Sequence, residues 1–464
     1  MSTSRPVIYR DLVHGPVAFV GKEAQLLNTA EMTRLREIKQ LSTVYLFHPY
    51  ATHTRFHHSA GVAWLAKFFL GALPLEHLQE LELTDQYALV AAALLHDIGH
   101  SAWSHVGEEF AKYRGETILH DARSRELVLG RDTYDEHFER WNGLPRVRDV
   151  LDDQTLRQKV AELIVGNPPI SSDMLEGKSE EKQETIKRHV TNRLGWMGQL
   201  IHSVFDLDRA DYLMRDAFFT FMSSQALVDP ANLVQKTGFR MVGKRKSLVF
   251  CDLPFAESFV TSYELMYPSV YLEAKNLVAE ELLIRALCEV YPEGTPIDRF
   301  WFATDEMVLA ELRTSSHPLV RRVIHLMLCC RTYDIVRELP FSSLDVHERE
   351  NITYLSQSRQ ELLQVEREIA HAAKAAGASI ETYDFLLAIW HWKVPLGSKA
   401  WIDIDGDVRT VGEVSPLLEA LQSERYAHRR SRLVIAISPH VSEHDRGILC
   451  KEALHHLSQA SIGA

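Results

Sequence analysis

The chain has 464 residues, of which 46% are hydrophobic and 25% are charged, a balance typical of globular proteins and unlike that of disordered or fibrous chains. Its formal net charge of −12 argues against a protein that coats nucleic acid non-specifically, but it is compatible with a local basic pocket. No apolar run approaches the roughly 18 residues of a membrane-spanning helix, and the first residues lack the apolar core of a secretory signal. We therefore expect a cytoplasmic protein with no membrane partner.

The spacing of apolar residues predicts a mainly α-helical chain. Apolar side chains recur with the 3.6-residue helical period in three N-terminal stretches and again after residue 202. A short β-hairpin with GKRK at its turn follows, and the last quarter combines a charged helix, a turn at Gly406 and the strand-like run RLVIAIS. The predicted helices are 31–41, 58–73, 86–96, 202–219 and 357–375, with further helices between 256 and 290. The predicted strands are 239–242, 248–251 and 432–438.

This pattern predicts two domains. Residues 1–335 are expected to form a helical domain that carries the chemistry, with a charged insertion at about 140–195. Residues 336–464 are expected to form a smaller α+β lobe that serves oligomerisation or regulation. The 5 cysteines, few and odd in number, are expected to be reduced thiols inside the core.

Two histidines and two aspartates on apolar helical segments are candidate metal ligands. A buried polar group without a partner is costly, so the adjacent His96 and Asp97 in the run AAALLHDIGH need an explanation. His100 lies four residues after His96 and would share its face of a continuous helix. With His58 and Asp208 from neighbouring helices, the pair could hold one divalent ion. Such ligands suit Mn, Mg, Fe, Zn or Co, and the sequence does not choose among them.

A second group of titratable residues follows the candidate ligands. It contains three histidines and a glutamate, and Glu108 lies three residues after His105, near enough on a helix to orient that imidazole. A histidine with a pKa near neutral pH can donate a proton to a departing alkoxide and can bind phosphate once it is protonated. We therefore expect a catalytic role for His100, His105, Glu108 and His120.

The segment DLDRADYLMRD carries a charged helical face. Its polar side chains recur at positions i, i+3, i+4, i+7 and i+8, while leucine and methionine form a separate apolar stripe. We expect the charged face to meet a polar cavity, with Arg209 beside it as a partner for phosphate. The face consists of Asp208, Asp211, Tyr212, Arg215 and Asp216.

Together these motifs resemble those of the HD-type deoxynucleoside triphosphate (dNTP) triphosphohydrolases. This branch of the HD-domain superfamily includes bacterial dGTPases and the animal enzyme that joins a sterile-alpha-motif to an HD domain. The resemblance covers about the first 290 residues and implies a helical HD fold with a small β-hairpin and a C-terminal α+β lobe. It is carried by RDLVHGPV, EMTRLREIKQL, HTRFHHSAGVAWLA, LLHDIGHSAWSH, DLDRADYLMRD and SYELMYPSVYLEAKNL.

The resemblance implies a role for each matching residue. His105 would be the general acid or a phosphate contact, with His100 and His120 as its catalytic neighbours. The metal ligands would be His58, His96, Asp97 and Asp208. The substrate contacts would be Arg55 and Arg209 at the triphosphate, Gln40 and Leu41 at the sugar, Tyr212 beneath C2′ and Asp216 at the 3′-hydroxyl.

The implied reaction is attack of water on the α-phosphorus with the help of one divalent metal ion per site, which releases a deoxynucleoside and inorganic triphosphate. The resemblance also implies a homo-oligomer (dimer, tetramer or hexamer), a nucleotide effector, and a role in dNTP pool control or in antiviral dNTP depletion. The chain departs from the family at Tyr263, where relatives carry a phosphate-binding arginine, and at Glu273 and Ala274, where they carry His-Lys.

Two other functions remain open. The first keeps HD chemistry but acts on another nucleotide, as a nucleotidase or phosphodiesterase; Tyr263 favours it, whereas Gln40, Arg55 and Tyr212 oppose it. The second is a nucleotide sensor or nucleic-acid binder with little turnover, which would not need a complete ligand set. The basic patch KRK at 244–246 is too small to establish nucleic-acid affinity.

Overall fold

The computed structural model describes residues 6–116, 119–130, 132–225, 228–392 and 399–459. Helices dominate, and short strands gather into small sheets, so the predicted mainly α fold is confirmed. Within the described ranges, no helix combines the length and the apolar character needed to cross a bilayer.

In the described residues, short strands interrupt long runs of helices. The α-helices are α1 Gly21–Leu26, α2 Ala30–Leu35, α3 Arg55–Ala72, α4 Leu75–Leu78, α5 Leu83–Leu95, α6 His105–Tyr113, α7 His120–Leu129, α8 Val147–Val150, α9 Gln154–Ile164, α10 Glu180–Ile201, α11 Leu207–Phe219, α12 Pro230–Gln235, α13 Leu253–Met266, α14 Ala274–Val290, α15 Asp298–Trp301, α16 Asp305–Thr314, α17 Pro318–Leu328, α18 Val346–Gln357, α19 Arg359–Ala375, α20 Val411–Val414, α21 Pro416–Gln422, α22 Glu424–Arg430 and α23 Glu443–Gln459. The strands are β1 Val7–Asp11, β2 Gly15–Phe19, β3 Thr237–Val242, β4 Arg245–Phe250, β5 Asp334–Pro340, β6 Phe385–Trp390, β7 Trp401–Ile404, β8 Asp407–Thr410 and β9 Arg432–Ile437.

The chain forms two compact units, each assembled from interleaved segments. The first contains Met1–Met266, Gly294–Leu309 and Leu396–Ser415, and the second contains Tyr267–Glu293, Ala310–Pro395 and Pro416–Ala464. Helices α14 and α17 pack together, and α14 also packs on β5, β6 and β9 in the second unit. The assignment of the chemistry to residues 1–335 and of oligomerisation or regulation to residues 336–464 stays a prediction.

The first unit is built around α5. Residues 88–95 of this helix are all buried, and a helix that is apolar all round must be enclosed by other elements. Helices α3 and α9 pack against it, and α11 packs against α3. Gly61 in α3 permits this close approach, because a Cβ atom there would lie 2.0 Å from Oδ1 of Asp211 on α11.

The strands form three small sheets. Strands β1 and β2 make an antiparallel hairpin in which Asp11 pairs with Gly15. The second sheet has the strand order β3-β4-β7-β8, and its neighbouring strands are antiparallel except for the parallel pair β4 and β7. The pairs β3-β4 and β7-β8 confirm the predicted hairpins at 239–251 and around Gly406. The second unit holds the antiparallel sheet β5-β9-β6, whose central strand β9 is the predicted strand 432–438.

Some predicted helices have other bounds in the structure. The helix predicted at 31–41 ends at Leu35, because the chain then turns and the Lys39 amide donates to Oδ2 of Asp305 at 2.9 Å. The helix predicted from 202 begins at Leu207, where the side chain of Asp206 accepts the Arg209 amide at 2.8 Å.

The prediction of several helices within 256–290 is confirmed. A π-helical turn at Tyr267–Tyr271 separates α13 from α14.

The expectation that the cysteines lie in the core is wrong, since Cys251, Cys329 and Cys330 are exposed and the other two are half-buried.

Candidate active site

The four predicted metal ligands converge near the ends of α3, α5 and α11. Nε2 of His58 lies 3.3 Å from Nε2 of His96 and 2.9 Å from Oδ1 of Asp208. Asp97 lies beside both rings, with Oδ1 3.4 Å from His96 Nε2 and Oδ2 3.8 Å from His58 Nε2. These separations suit ligands of one ion, because adjacent donors in an octahedron with bonds of 2.0–2.1 Å are about 3 Å apart.

Both histidines direct Nε2 into this cluster because Nδ1 is already engaged. Nδ1 of His96 donates to the carbonyl oxygen of Ala93 at 2.8 Å, and Nδ1 of His58 donates to Oδ2 of Asp211 at 2.8 Å. Such partners fix the tautomer and the orientation of a metal-binding imidazole. His58, His96 and Asp97 therefore fit one divalent ion, because their donor atoms all lie within 4.8 Å of one another. Asp208 lies beside the two imidazoles, and this set of donors does not select the identity of the ion.

The His-Asp pair lies at the end of α5 rather than inside it. The helix stops at Leu95, His96 is its C-cap, and residues 97–99 form a turn. The prediction that His96 and His100 share one helical face is therefore wrong. The turn instead brings Nε2 of His100 to 3.3 Å from Oδ1 of Asp97. Gly99 makes room for α7, because a Cβ atom there would lie 2.3 Å from the His120 carbonyl oxygen.

Arg55, the first residue of α3, is tied to the His-Asp pair. Its Nη1 donates to Oδ2 of Asp97 at 2.6 Å, and its Nε donates to Oγ of Ser104 at 2.8 Å. Ser104 and Trp103 both have positive φ, 54° and 60°, which is uncommon outside glycine. Nη2 of Arg55 is buried and has no hydrogen-bond partner among the described residues. A buried guanidinium donor of this kind suits a phosphate oxygen.

The predicted catalytic residues form a second cluster around Glu108. Its Oε1 lies 2.5 Å from Nδ1 of His120, and its Oε2 lies 3.2 Å from Nδ1 of His105. The rings of His100 and His120 stack with centroids 3.7 Å apart. The side chain of His105 is 69% exposed and that of Glu108 is 9% exposed, so His105 is the member that faces solvent.

The charges in this cluster follow from burial and neighbours. Burial opposes a charge on His120, but the carboxylates of Asp121 and Glu108 outweigh it and raise its pKa to about 10. Burial would raise the pKa of Glu108, yet its hydrogen bonds to His105 and His120 hold that pKa below the usual range. Burial, together with Arg55 and His120, lowers the pKa of His100. At neutral pH, His120 is therefore a cation and His100 is neutral.

Gln40 and Asp216, two predicted substrate contacts, are connected through His53. The main-chain amide of Gln40 donates to the main-chain carbonyl oxygen of His53 at 3.0 Å. The side chain of His53 continues the connection, since its Nε2 lies 2.7 Å from Oδ1 of Asp216. Oε1 of Gln40 is buried without a hydrogen-bond partner in the part of the chain that the structure describes. Leu41 follows at the start of the 3₁₀ turn Ser42–Leu46 and is half-buried.

Arg209 and Tyr212 lie on α11, and both are half-buried. Nε of Arg209 donates to the Ser203 carbonyl oxygen at 3.3 Å and lies 3.8 Å from Oδ2 of Asp206. Arg209 borders a cavity of about 360 Å³ inside the first unit. Its apolar walls include Phe69, Leu200, Leu207, Phe250 and Trp401.

The charged face of α11 does not meet a cavity along its whole length. Asp208 is 34% exposed, but Asp211 and Arg215 are buried and paired with each other. The expectation of a polar cavity is therefore wrong at these two positions. Sequence reasoning also missed His14, which contacts Asp211 although it lies 197 residues away in the chain. Its only signal is its place in the motif RDLVHGPV.

Comparisons with known proteins agree with this geometry. Residues 55–216 match the family model of the HD domain, and residues 228–443 match that of the HD associated region. Residues 55–216 are therefore similar to HD domains, and this stretch contains His58, His96, Asp97 and Asp208.

Individual relatives are distant. An uncharacterized protein of Mycoplasma genitalium is 29% identical over 268 residues, 55% of this chain and 53% of that protein. A deoxynucleoside triphosphate triphosphohydrolase of Danio rerio is 39% identical over 108 residues, 23% of this chain and 17% of that protein. A crystal structure of a hypothetical protein from Aquifex aeolicus shares the fold, with a TM-score of 0.65 and 19% identity over 96% of this chain and 100% of that one. The chain spans about half the length of the Mycoplasma relatives.

Proposed function

We propose that this protein is a metal-dependent phosphohydrolase with an HD domain and that it hydrolyses dNTPs to deoxynucleosides and inorganic triphosphate. The observation that carries the proposal is the position of Asp97 between two groups of residues. On one side it lies beside the candidate ligands His58 and His96, and on the other it contacts Arg55 and His100. A phosphate group at this point would meet a metal, a guanidinium and the histidine cluster together.

The residues divide the chemistry among them. A divalent ion held by His58, His96, Asp97 and Asp208 would supply Lewis acidity and a water of lowered pKa. Arg55 orients the phosphate through its unpartnered Nη2. The cation of His120, fixed by Glu108 and Asp121, stabilises negative charge that develops on the phosphoryl oxygens. His105, exposed and held at Nδ1 by Glu108, donates a proton to the departing 5′-oxygen.

The sugar end of the site supports a deoxynucleoside. The buried Oε1 of Gln40 and the carboxylate of Asp216, which His53 holds in place, are the two acceptors offered to the single hydrogen of the 3′-hydroxyl. Tyr212 packs beneath C2′, where a ribose hydroxyl would not fit. The similarity to the Danio rerio triphosphohydrolase supports this assignment of the substrate.

A nucleotidase or phosphodiesterase acting on another nucleotide is the second candidate. Tyr263 favours it, because this residue stands where a phosphate-binding arginine is expected and a phenol carries no positive charge for a triphosphate.

One assay separates these candidates. The full chain is incubated with each dNTP singly and in pairs, with Mn²⁺ or Mg²⁺, and the products are resolved by chromatography. Intact triphosphate supports the proposal, whereas phosphate or pyrophosphate supports the second candidate. Binding without turnover across all nucleotides and metals would contradict both and would indicate a sensor.

Regulation and assembly belong to the same proposal. We infer a homo-oligomer with a nucleotide effector, acting in dNTP pool control or in antiviral dNTP depletion. Activity that appears only with pairs of dNTPs would reveal the effector. Light scattering with and without nucleotide would give the number of subunits.

A further inference from the structure

The metal ligand His58 is connected to the N-terminal turn (residues 11–15, between β1 and β2) through a single carboxylate. Oδ2 of Asp211 accepts Nδ1–H of His58 at 2.8 Å, and Oδ1 of Asp211 lies 2.6 Å from Nε2 of His14 in the turn. A carboxylate offers only acceptors, so His14 donates through Nε2. The side chains of Asp211 and His14 are 0% and 2% exposed, so water does not compete for these bonds.

Arg215 forms a second connection between the turn and Asp211. Its Nε and Nη2 donate to the two oxygens of Asp211 at 2.8 and 3.0 Å, and its Nη1 donates to Oδ2 of Asp11 at 2.8 Å. Oδ1 of Asp11 accepts the amides of Val13 and His14 at 2.8 and 2.9 Å. The backbone of the turn and the carboxylate that holds His58 are thereby fixed in one buried network.

Packing on α3 fixes the ring of His14. It stacks on Trp64 with centroids 4.4 Å apart and an interplanar angle of 21°. Trp64 lies six residues after His58 on the same helix. The ring is therefore held by a face contact to α3 and by an edge hydrogen bond to α11.

We propose that the N-terminal turn is a positioning element for the metal centre, in which His14 and Asp11 act through Asp211 to hold His58 ready for the ion. The inference rests on the metal centre of the proposed function but not on the substrate. A carboxylate that accepts the outer nitrogen of a ligand histidine fixes its orientation, and loss of such a partner costs about 10–100-fold in metal affinity. His14 is a positioning residue and touches neither metal nor substrate.

The test compares two substitutions that separate the hydrogen bond from the packing. His14→Phe keeps a ring for stacking on Trp64 and removes the donor, whereas His14→Gln keeps a donor near the position of Nε2 and removes the ring. His137→Phe is the matched control, since His137 stacks on Phe302 in the same unit and does not contact the ligand cluster.

The full-length proteins are stripped of metal with a chelator and titrated with Mn²⁺, and free Mn²⁺ is measured by electron paramagnetic resonance. We expect His14→Phe to weaken Mn²⁺ binding by about tenfold, the lower end of the range for loss of such a partner, because Arg215 still holds Asp211. His14→Gln and His137→Phe should stay within about threefold of the parent protein. Thermal unfolding of the metal-free proteins verifies that each variant is folded.

Asp11→Asn is a second, nearly isosteric variant in case His14→Phe does not fold, and it is expected to weaken binding by about tenfold. Parent affinity in a folded His14→Phe or Asp11→Asn protein would overturn the inference, as would equal weakening by His14→Phe and His14→Gln. Since Mn²⁺ binding is measured without nucleotide, weakened binding in a protein that hydrolyses no dNTP would support the positioning role and refute the proposed substrate.

Discussion

Glu108 is the side chain that holds two of the candidate catalytic histidines, His105 and His120. One of its oxygens binds His120 and the other binds His105, and the residue is almost completely buried. A neutral isostere in its place would keep the shape but remove the charge that holds a proton on His120. In the proposed mechanism both proton transfer and charge stabilisation use this cluster, so the effect should appear in turnover.

We expect Glu108→Gln to lower kcat by about 10²–10⁴-fold with unchanged metal content. Glu109→Gln is the matched control, because the neighbouring Glu109 is exposed and pairs with Lys112 alone among its described salt bridges, at 2.6 Å. Steady-state kinetics of both variants, with metal analysis of each protein, check this expectation. Full activity in Glu108→Gln would remove Glu108 from the catalytic set.

The pKa values of the candidate ligands His58 and His96 should make metal binding pH-dependent. Without metal, burial disfavours a charge on His58, but Asp208 and Asp211 outweigh burial and raise its pKa to about 10. The pKa of His96 is raised as well, by Asp97 and Asp208 against burial. At neutral pH the ion must therefore displace protons from these imidazoles.

We accordingly expect Mn²⁺ to bind more tightly as the pH rises, by about tenfold per pH unit for each proton displaced, between about pH 6 and about pH 8. Calorimetric titrations in two buffers with different ionisation enthalpies count the protons released. An affinity that stays constant over this pH range would show that both imidazoles are already neutral.

At the residue scale, the sequence identifies which side chains lie at the candidate site better than it identifies the hydrogen bonds between them. A His-Asp pair in an apolar run is costly unless it has a partner, which is why His96 and Asp97 could be singled out. The anchor His14 could not be found in this way, because a contact across 197 residues leaves no local pattern.

Among the elements, the contact of α3 with α11 brings His58 next to Asp208. Gly61 lies at this contact, where a Cβ atom would fall 2.0 Å from Asp211 Oδ1 and 2.3 Å from Arg215 Nη2. Both neighbours belong to a buried ion pair and have little freedom to move.

We expect Gly61→Ala to destabilise the protein by roughly 1–3 kcal/mol and to weaken metal binding, because α3 must move away from α11. Gly71→Ala on the same helix is the control, since no atom lies within 4 Å of a Cβ atom there. It should be neutral or stabilise by up to about 1 kcal/mol. Chemical denaturation measures both changes, and equal stabilities would contradict the close approach.

The helices could be predicted from periodicity, whereas several of their ends could not. The 3.6-residue pattern gives α3 almost completely, because its buried positions repeat along one sequence segment. The early end of α2 depends on a partner far away in the chain, because the Lys39 amide donates to Asp305. The interleaving of the two units was likewise not predictable, since it depends on which surfaces pack together.

For the whole molecule, a bound metal should act as a stabilising ligand. An ion that binds the folded chain alone adds about 2.7 kcal/mol to the free energy of unfolding at a concentration 100 times its Kd. The ligand cluster joins α3, the end of α5 and α11, so this free energy should delay the unfolding of the first unit.

We expect Mn²⁺ to raise the thermal midpoint of the parent protein but not that of Asp97→Ala or His96→Ala, and both variants should lose turnover. Differential scanning fluorimetry with and without Mn²⁺ measures the shift, and dNTP hydrolysis is assayed on the same samples. Full activity in either variant would refute the assigned metal site.

The position of Asp97 has a consequence for how its substitutions combine. One oxygen lies near His96 and His100, and the other lies near His58 and receives Arg55. Loss of this side chain would disturb metal binding, the position of Arg55 and the position of His100 together. A second substitution at Arg55 or His100 should therefore lower activity little further. Double-mutant cycles that include Asp97 should consequently be strongly non-additive. The separate contributions of Arg55 and His100 to activity should therefore be compared in a protein that retains Asp97.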